Sequence, residues 1–320
     1  MTPLPMGMSL REAFGEALVE IGEREPRLVV LDGDLGSSTR ADIFEAAHPE
    51  RFYQMGIAEQ NLVGAAAGMA TLGLIPYVST FACFAVARAL DSIRVLVAQT
   101  NLNVKIAGGY AGLLAGMTGK THLMFNDIAV MRSLAGVAVV SPADACETRR
   151  ALEVITDHVG PVYIRLSRPE TPIIFGDSYE FVLGKAVVIR DGTDVTLIST
   201  GTQTARALEA SELLAERGIK VLLLHVPTIK PLDEDAIVAA AARTGHVITV
   251  EDHSVIGGLG GAVAESLSTR HPTRVDRLGI QDIYGESGPD DALLEKYGLS
   301  TERVASAVHE LVTAREGRPH

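Results

Sequence analysis

The chain has 320 residues, 47% of them hydrophobic and 21% charged, which suits about two globular domains with large cores. A net charge of −12 argues against unassisted binding to nucleic acid or to an anionic membrane. Two cysteines, Cys83 and Cys146, stand in no metal-like spacing, so neither a disulfide framework nor a zinc site is expected.

Taken in order, Met1 to Met8 lacks the basic start and apolar core of a signal peptide. Ser9–Glu23 reads as a helix with Leu10, Phe14, Leu18 and Ile21 on one face. Leu28–Leu31 reads as a strand ending at the turn Asp32-Gly33-Asp34, Ile57–Leu72 as a helix, Tyr77–Thr80 as a strand and Phe84–Ala98 as a helix. The apolar run around Ala65–Ile75 contains glycines and is followed by Pro76, which marks a buried helix rather than a membrane span. A soluble, cytoplasmic protein is expected. Val104–Ala107, Val137–Val140 and Val162–Leu166 are further strands.

Periodicity fails around Pro169–Glu180, where Pro172, Gly176 and Asp177 mark a linker. A second series follows, with strands at Val195–Ser199, Lys220–Leu224, Val247–Val250 and Arg274–Leu278. Its helices are Thr204–Arg217, Asp233–Arg243, Gly260–Thr269 and a closing Ala305–Val312. Continuous Val/Ile/Leu runs between helices predict α/β architecture, two domains with parallel or mixed sheets covered on both faces.

One carboxylate stands out. From Ile57 to Gly73 the only ionisable group is Glu59. A carboxylate removed from water needs hydrogen bonds or a proton. Glu59 is therefore either a first-turn charge favoured by the helix dipole or a group kept for proton transfer.

The stretch Met55-Gly56-Ile57-Ala58-Glu59-Gln60-Asn61 resembles the pyrimidine-binding region of thiamine diphosphate enzymes, specifically transketolases and deoxyxylulose phosphate synthases. The resemblance spans nearly the whole chain. It implies a pyrimidine-binding domain at 1–170, a linker at 171–184 and a transketolase C-terminal domain at 185–320. In that family the Glu hydrogen-bonds N1′ of the aminopyrimidine, and an apolar site suits the proton exchange. Glu59 is the implied catalytic acid. Phe81 and Phe84, in Ser79-Thr80-Phe81-Ala82-Cys83-Phe84, match the aromatics beside the pyrimidine, while a third aromatic of the family is replaced by Ala87. Asp34 and Leu35 match the loop near the pyrimidine and thiazolium.

His122, in Gly119-Lys120-Thr121-His122, resembles the His that points at the substrate and shuttles protons. Arg11, Ser38 and Arg168 resemble the contacts at the substrate's phosphate end, where an Arg fork binds bidentately. Two positions depart from the pattern: Thr118 stands where an acid contacts a sugar hydroxyl, and Tyr110 where a His faces phosphate. Both departures point away from the usual pentose phosphates.

The family's Gly-Asp-Gly and Asn-Asn signature for diphosphate and magnesium is missing, since Asp32-Gly33-Asp34 reverses the order. The resemblance thus implies an N-terminal partner subunit holding the diphosphate and Mg²⁺. It further implies a homodimer of this chain within an α2β2 assembly, acting on sugar phosphates. Alternatives are a deoxyxylulose phosphate synthase, the β subunit of a 2-oxoacid dehydrogenase, or a catalytically silent subunit. Gly257-Gly258-Leu259-Gly260-Gly261 lacks both P-loop and dinucleotide spacing, so close packing at a subunit interface is expected of it. Glu251-Asp252-His253 lacks a ligand geometry on one face.

Overall fold

Two sheets organise the chain in a computed structural model that describes residues 4–316, with side chains through residue 314. Residues 1–3, the start of the segment read for a signal peptide, lie outside the described residues. The first sheet has seven strands in the order Thr228–Lys230, Ala138–Val140, Val162–Leu166, Lys105–Gly109, Ile75–Phe81, Leu28–Asp32 and Phe52–Gln54. All neighbours pair in parallel except the edge strand Thr228–Lys230, which runs antiparallel. The second sheet has five, in the order Val275–Ile280, Val247–Ser254, Val195–Ser199, Val221–His225 and an antiparallel edge, Val187–Arg190. A two-stranded ribbon joins Met6–Ser9 to Glu170–Pro172. The expected α/β class with two parallel or mixed sheets is what the chain adopts.

The inner strands are buried along their whole length, as continuous apolar runs require when helices cover both faces. The first helix, Leu10–Arg24, is closed by a reciprocal Ser9–Glu12 capping box and buries Phe14, Leu18 and Ile21. Each such side chain contributes about 1.5–3 kcal/mol on burial. The expected helix from Phe84 to Ala98 is not continuous. An α-helix covers Ala82–Arg88, Ala89 leaves helical geometry at φ −102° and ψ 8°, and Ile93–Ala98 winds as a π-helix. No Gly or Pro marks the break, and it leaves Arg88 at a helix end. Helices at Asp127–Ser133, Ala145–Asp157 and Asp290–Lys296 add to those predicted. No described helix is long and apolar enough to cross a membrane.

Lys105 opens the central strand and is fully buried. Its Nζ donates to the carbonyls of His158 and Gly160, at 2.6 and 2.9 Å. Burial pulls its pKa down from 10.5 to about 7. The unfolded chain therefore holds this proton over a range where the folded chain has released it, and stability rises with pH above 7. One such group gives up to about 1.4 kcal/mol per pH unit. Above pH 9 the buried Cys83 thiol, pushed up to about 11, acts in the opposite sense. Urea unfolding should show stability increasing by about 1 kcal/mol between about pH 7.5 and 8.5. Lys105→Met should flatten that rise, and a flat wild-type profile would refute the assignment.

Candidate active site

Parallel strands gather ligand-binding loops at their carboxyl ends, and four ends of the first sheet converge here. Leu28–Asp32 delivers Asp34, Leu35 and Ser38; Ile75–Phe81 delivers Phe81 and Phe84; Lys105–Gly109 leads to Tyr110 and His122; Val162–Leu166 leads to Arg168.

Glu59 is the first residue of the helix Glu59–Thr71 and is 3% exposed, so the helix dipole and burial act on the same carboxylate. Its Oε1 accepts from Arg88 Nη1 at 3.0 Å. The Arg88 guanidinium lies over the Phe84 ring, 4.0 Å from its centroid. Phe84 stacks beside Phe81 at 5.7 Å, and the His122 ring meets both edge-on, at 5.4 and 6.0 Å. Thr121 Oγ1 pairs with His122 Nδ1 at 2.9 Å. Glu59, Phe81, Phe84 and His122 therefore form one cluster.

Tyr110 links this cluster to a second. Its ring stacks on Phe81 with centroids 4.0 Å apart, and the guanidiniums of Arg11 and Arg168 each lie 5.7 Å from its centre. Arg11 Nη1 donates to the Tyr110 hydroxyl at 3.2 Å and to the Ser38 carbonyl at 2.8 Å, while its Nε donates to the Arg168 carbonyl at 3.1 Å. Arg168 keeps a buried Nε with no partner among the described residues. Tyr110 sits at φ 57°, a left-handed conformation that bulky residues adopt only where the surroundings impose it. Arg11, Ser38 and Arg168 thus lie together around Tyr110.

Asp34 is exposed, at φ 65°, and its N–H donates to Gln54 Oε1. The buried neighbour is Asp32. Its Oδ2 accepts from the N–H groups of Leu35 and Gly36 and from Gln54 Nε2, at 2.8, 3.0 and 3.1 Å, and burial pushes its carboxyl up. Leu35 is partly buried against the core. Thr118 donates its hydroxyl to the Ala115 carbonyl.

The loop carrying Tyr110 is set by Arg165. This fully enclosed side chain binds Asp127 Oδ2 through Nε at 2.9 Å, the Asp252 carboxylate through Nη1 and the Asp252 carbonyl through Nη2. Burial alone would drive the charge off, but Asp127 and Asp252 outweigh it and raise the pKa. Tyr163 donates to Asp127 Oδ2 at 2.8 Å, and Leu113 N–H reaches Asp252 Oδ2 at 3.4 Å. Gly112 allows that approach: a Cβ there would fall 2.1 Å from Asp252 Oδ2.

The close packing expected of the 257–261 glycines is made within the chain. Glu251 accepts from Leu259 and Gly260 N–H at 2.7 and 2.8 Å, and a Cβ on Gly258 would meet its Oε2 at 2.1 Å. His253 Nδ1 donates to the Ser254 carbonyl at 2.7 Å, so the triad Glu251-Asp252-His253 is spent on internal bonds. Among the described residues no group of three or more His, Cys, Asp or Glu is placed to hold a metal ion.

Arg88 escaped the sequence reading. Its spacing of four from Phe84 on a helix was the available signal, since such pairs share a face. Chemically the cluster suits a planar heteroaromatic cation or amide: a carboxylate at its edge, a phenyl face to stack on, an imidazole beside it, and two guanidiniums for an anion.

The family model for the transketolase pyrimidine-binding domain matches residues 6–173, and that for the transketolase C-terminal domain matches 184–304. A protein of Methanocaldococcus jannaschii described as a transketolase C-terminal section is 44% identical over 94% of this chain and 95% of its own length. The 6-deoxy-6-sulfo-D-fructose transketolase subunit of a Clostridium species is 41% identical over 97% of this chain and 96% of its own. A solved split-gene transketolase, described as an inactive β4 tetramer, superposes with a TM-score of 0.90 at 46% identity, covering 96% of this chain and 99% of that one.

Removing one partner of a buried ion pair leaves an uncompensated charge, at a cost of about 3–5 kcal/mol. Asp252→Asn should therefore lower the urea-unfolding free energy by about that amount, and a loss below about 1 kcal/mol would show that Arg165 does not depend on it.

Proposed function

The chain belongs to the transketolase family, and from that premise we propose that it is the C-terminal subunit of a two-subunit transketolase. In this reading it transfers a two-carbon ketol unit from a ketose phosphate to an aldose, with thiamine diphosphate held jointly with an N-terminal partner subunit. The observation that carries it is the buried Glu59 carboxylate joined through Arg88 to the Phe81–Phe84 wall, with His122 edge-on to both rings. Those residues fit an aminopyrimidine. When bound, thiamine diphosphate supplies a nucleophilic carbon and an electron sink for C–C cleavage.

Glu59 holds and exchanges a proton at the pyrimidine N1′, and its burial keeps that exchange out of competition with water. Phe81 and Phe84 fix the ring by stacking. Asp34 and Leu35 would border the pyrimidine and thiazolium from the loop after Leu28–Asp32. His122 hydrogen-bonds sugar oxygens and moves protons among them. Arg168, Arg11 and Ser38 hold the anionic end, and the orphaned Arg168 Nε is a donor ready for it. The diphosphate and Mg²⁺ ligands lie on the partner, because the reversed Asp32-Gly33-Asp34 supplies no magnesium signature. The subunit-level names of the relatives support an assembly, which we take as α2β2. The domain limits are 1–170 and 185–320 with a linker between, close to the two matched regions.

Tyr110 and Thr118 support an unusual sugar. Thr118 supplies no carboxylate and turns its hydroxyl to backbone, and Tyr110 floors the anion site with an aromatic face. Calorimetric titration should show thiamine diphosphate with magnesium binding tightly to the mixed subunits. In that mixture Glu59→Gln should cut kcat by about 100-fold or more. Full activity in Glu59→Ala would end the catalytic reading. Tyr110→Phe removes one hydrogen bond to Arg11, and the KM of the phosphorylated sugar should rise about fivefold with kcat retained.

A further inference from the structure

Arg88 satisfies both of the demands that the pyrimidine seat makes on a ligand. Its planar, delocalised cation donates an N–H to Glu59 Oε1 at 3.0 Å and sits over the Phe84 ring, 4.0 Å from its centroid. An aminopyrimidine seated there turns a ring nitrogen to the same carboxyl group, accepting its proton and then donating the resulting N–H back to it, and uses the same phenyl face. A separation of 4.0 Å is van der Waals contact, so guanidinium and ring cannot share the Phe84 face. We propose that Arg88 is an internal stand-in for the cofactor's aminopyrimidine, filling the seat in this chain and swinging out when the cofactor enters.

The surroundings suit an exchange. Glu59 is 3% exposed while the Arg88 side chain is 49% exposed, so the acid stays put and the cation has open solvent to move into. The exchange spares Glu59 the cost of a buried, unpaired charge before the cofactor arrives. It also weakens cofactor binding, because only the fraction of molecules with Arg88 out is competent. Arg88 ends the Ala82–Arg88 helix, where the chain leaves helical geometry at Ala89, and this allows the side chain to be redirected without unwinding an interior turn.

The proposal rests on the reading that Glu59 and Phe84 seat the pyrimidine, and the experiment separates the two. Thiamine diphosphate with Mg²⁺ is titrated calorimetrically into the assembled subunit pair carrying wild-type chain, Arg88→Ala or Arg88→Gln. The glutamine variant keeps an amide donor for Glu59 and guards against misfolding of the alanine variant. Thermal unfolding of each pair, with and without cofactor, gives a second readout independent of turnover. A stand-in predicts about tenfold tighter binding in both variants, a lower Tm without cofactor, and a larger Tm gain on adding it. Unchanged or weaker binding in the variants, with tight binding in wild type, overturns the stand-in and makes Arg88 a residue that merely positions Glu59. Absence of binding in the wild-type pair overturns the functional reading and this inference together.

Discussion

A single guanidinium, Arg165, is the constraint on which the geometry of the site depends. It extends from the strand Val162–Leu166 into a space closed to water and meets Asp127 from the first half of the chain and Asp252 from the second. Two carboxylates around one cation are costly in a low-dielectric interior unless further hydrogen bonds support them. Tyr163 donates to Asp127 and the Leu113 N–H to Asp252, the Asp252 carbonyl accepts another guanidinium N–H, and Asp127 Oδ1 is left without a hydrogen bond among the described residues. The result ties the turn after the strand Lys105–Gly109 to the second sheet. Tyr110 sits between the strand end and that tether, and its left-handed backbone is what remains when both ends are fixed.

Charge is distributed unevenly around the cluster. Arg11, Arg88 and Arg168 surround aromatic faces, while Glu59 is the enclosed acid at the far edge. Guanidiniums are weakly hydrated and stack well, so they coexist with phenyl rings at low cost where ammonium groups would not. The cluster therefore has stacked phenyl faces on one side and two guanidiniums on the other, and Tyr110 forms the boundary between them.

How much of this the sequence disclosed depended on whether the signal was local. Glu59 could be read because an ionisable group in an otherwise apolar helix is anomalous without reference to any contact. The inner strands could be read because burial on both faces leaves uninterrupted Val/Ile/Leu runs. Ala145–Asp157 was missed despite a local cue, Asp144 accepting from Glu147 N–H while Glu147 Oε2 accepts from Ala143 N–H. Arg165 was beyond reach for another reason, since its role comes from partners 38 and 87 residues away; Arg88 offered only its spacing from Phe84, its acid partner lying 29 residues away. The helix break at Ala89 was invisible too, because alanine carries no intrinsic preference for leaving a helix. Tyr110 was noticed as a departure, but its place over Phe81 is a tertiary fact.

The antiparallel strand Thr228–Lys230 carries a consequence for how such a gene can be divided. It belongs by sequence to the second half and by hydrogen bonding to the first sheet, where it covers Val139 and Val140. A cut between the halves would leave a bare sheet edge on one product and an unpaired ribbon on the other, both prone to self-association. The first sheet is therefore complete only when the second half of the chain is present, and the two domains share one edge rather than merely sitting side by side.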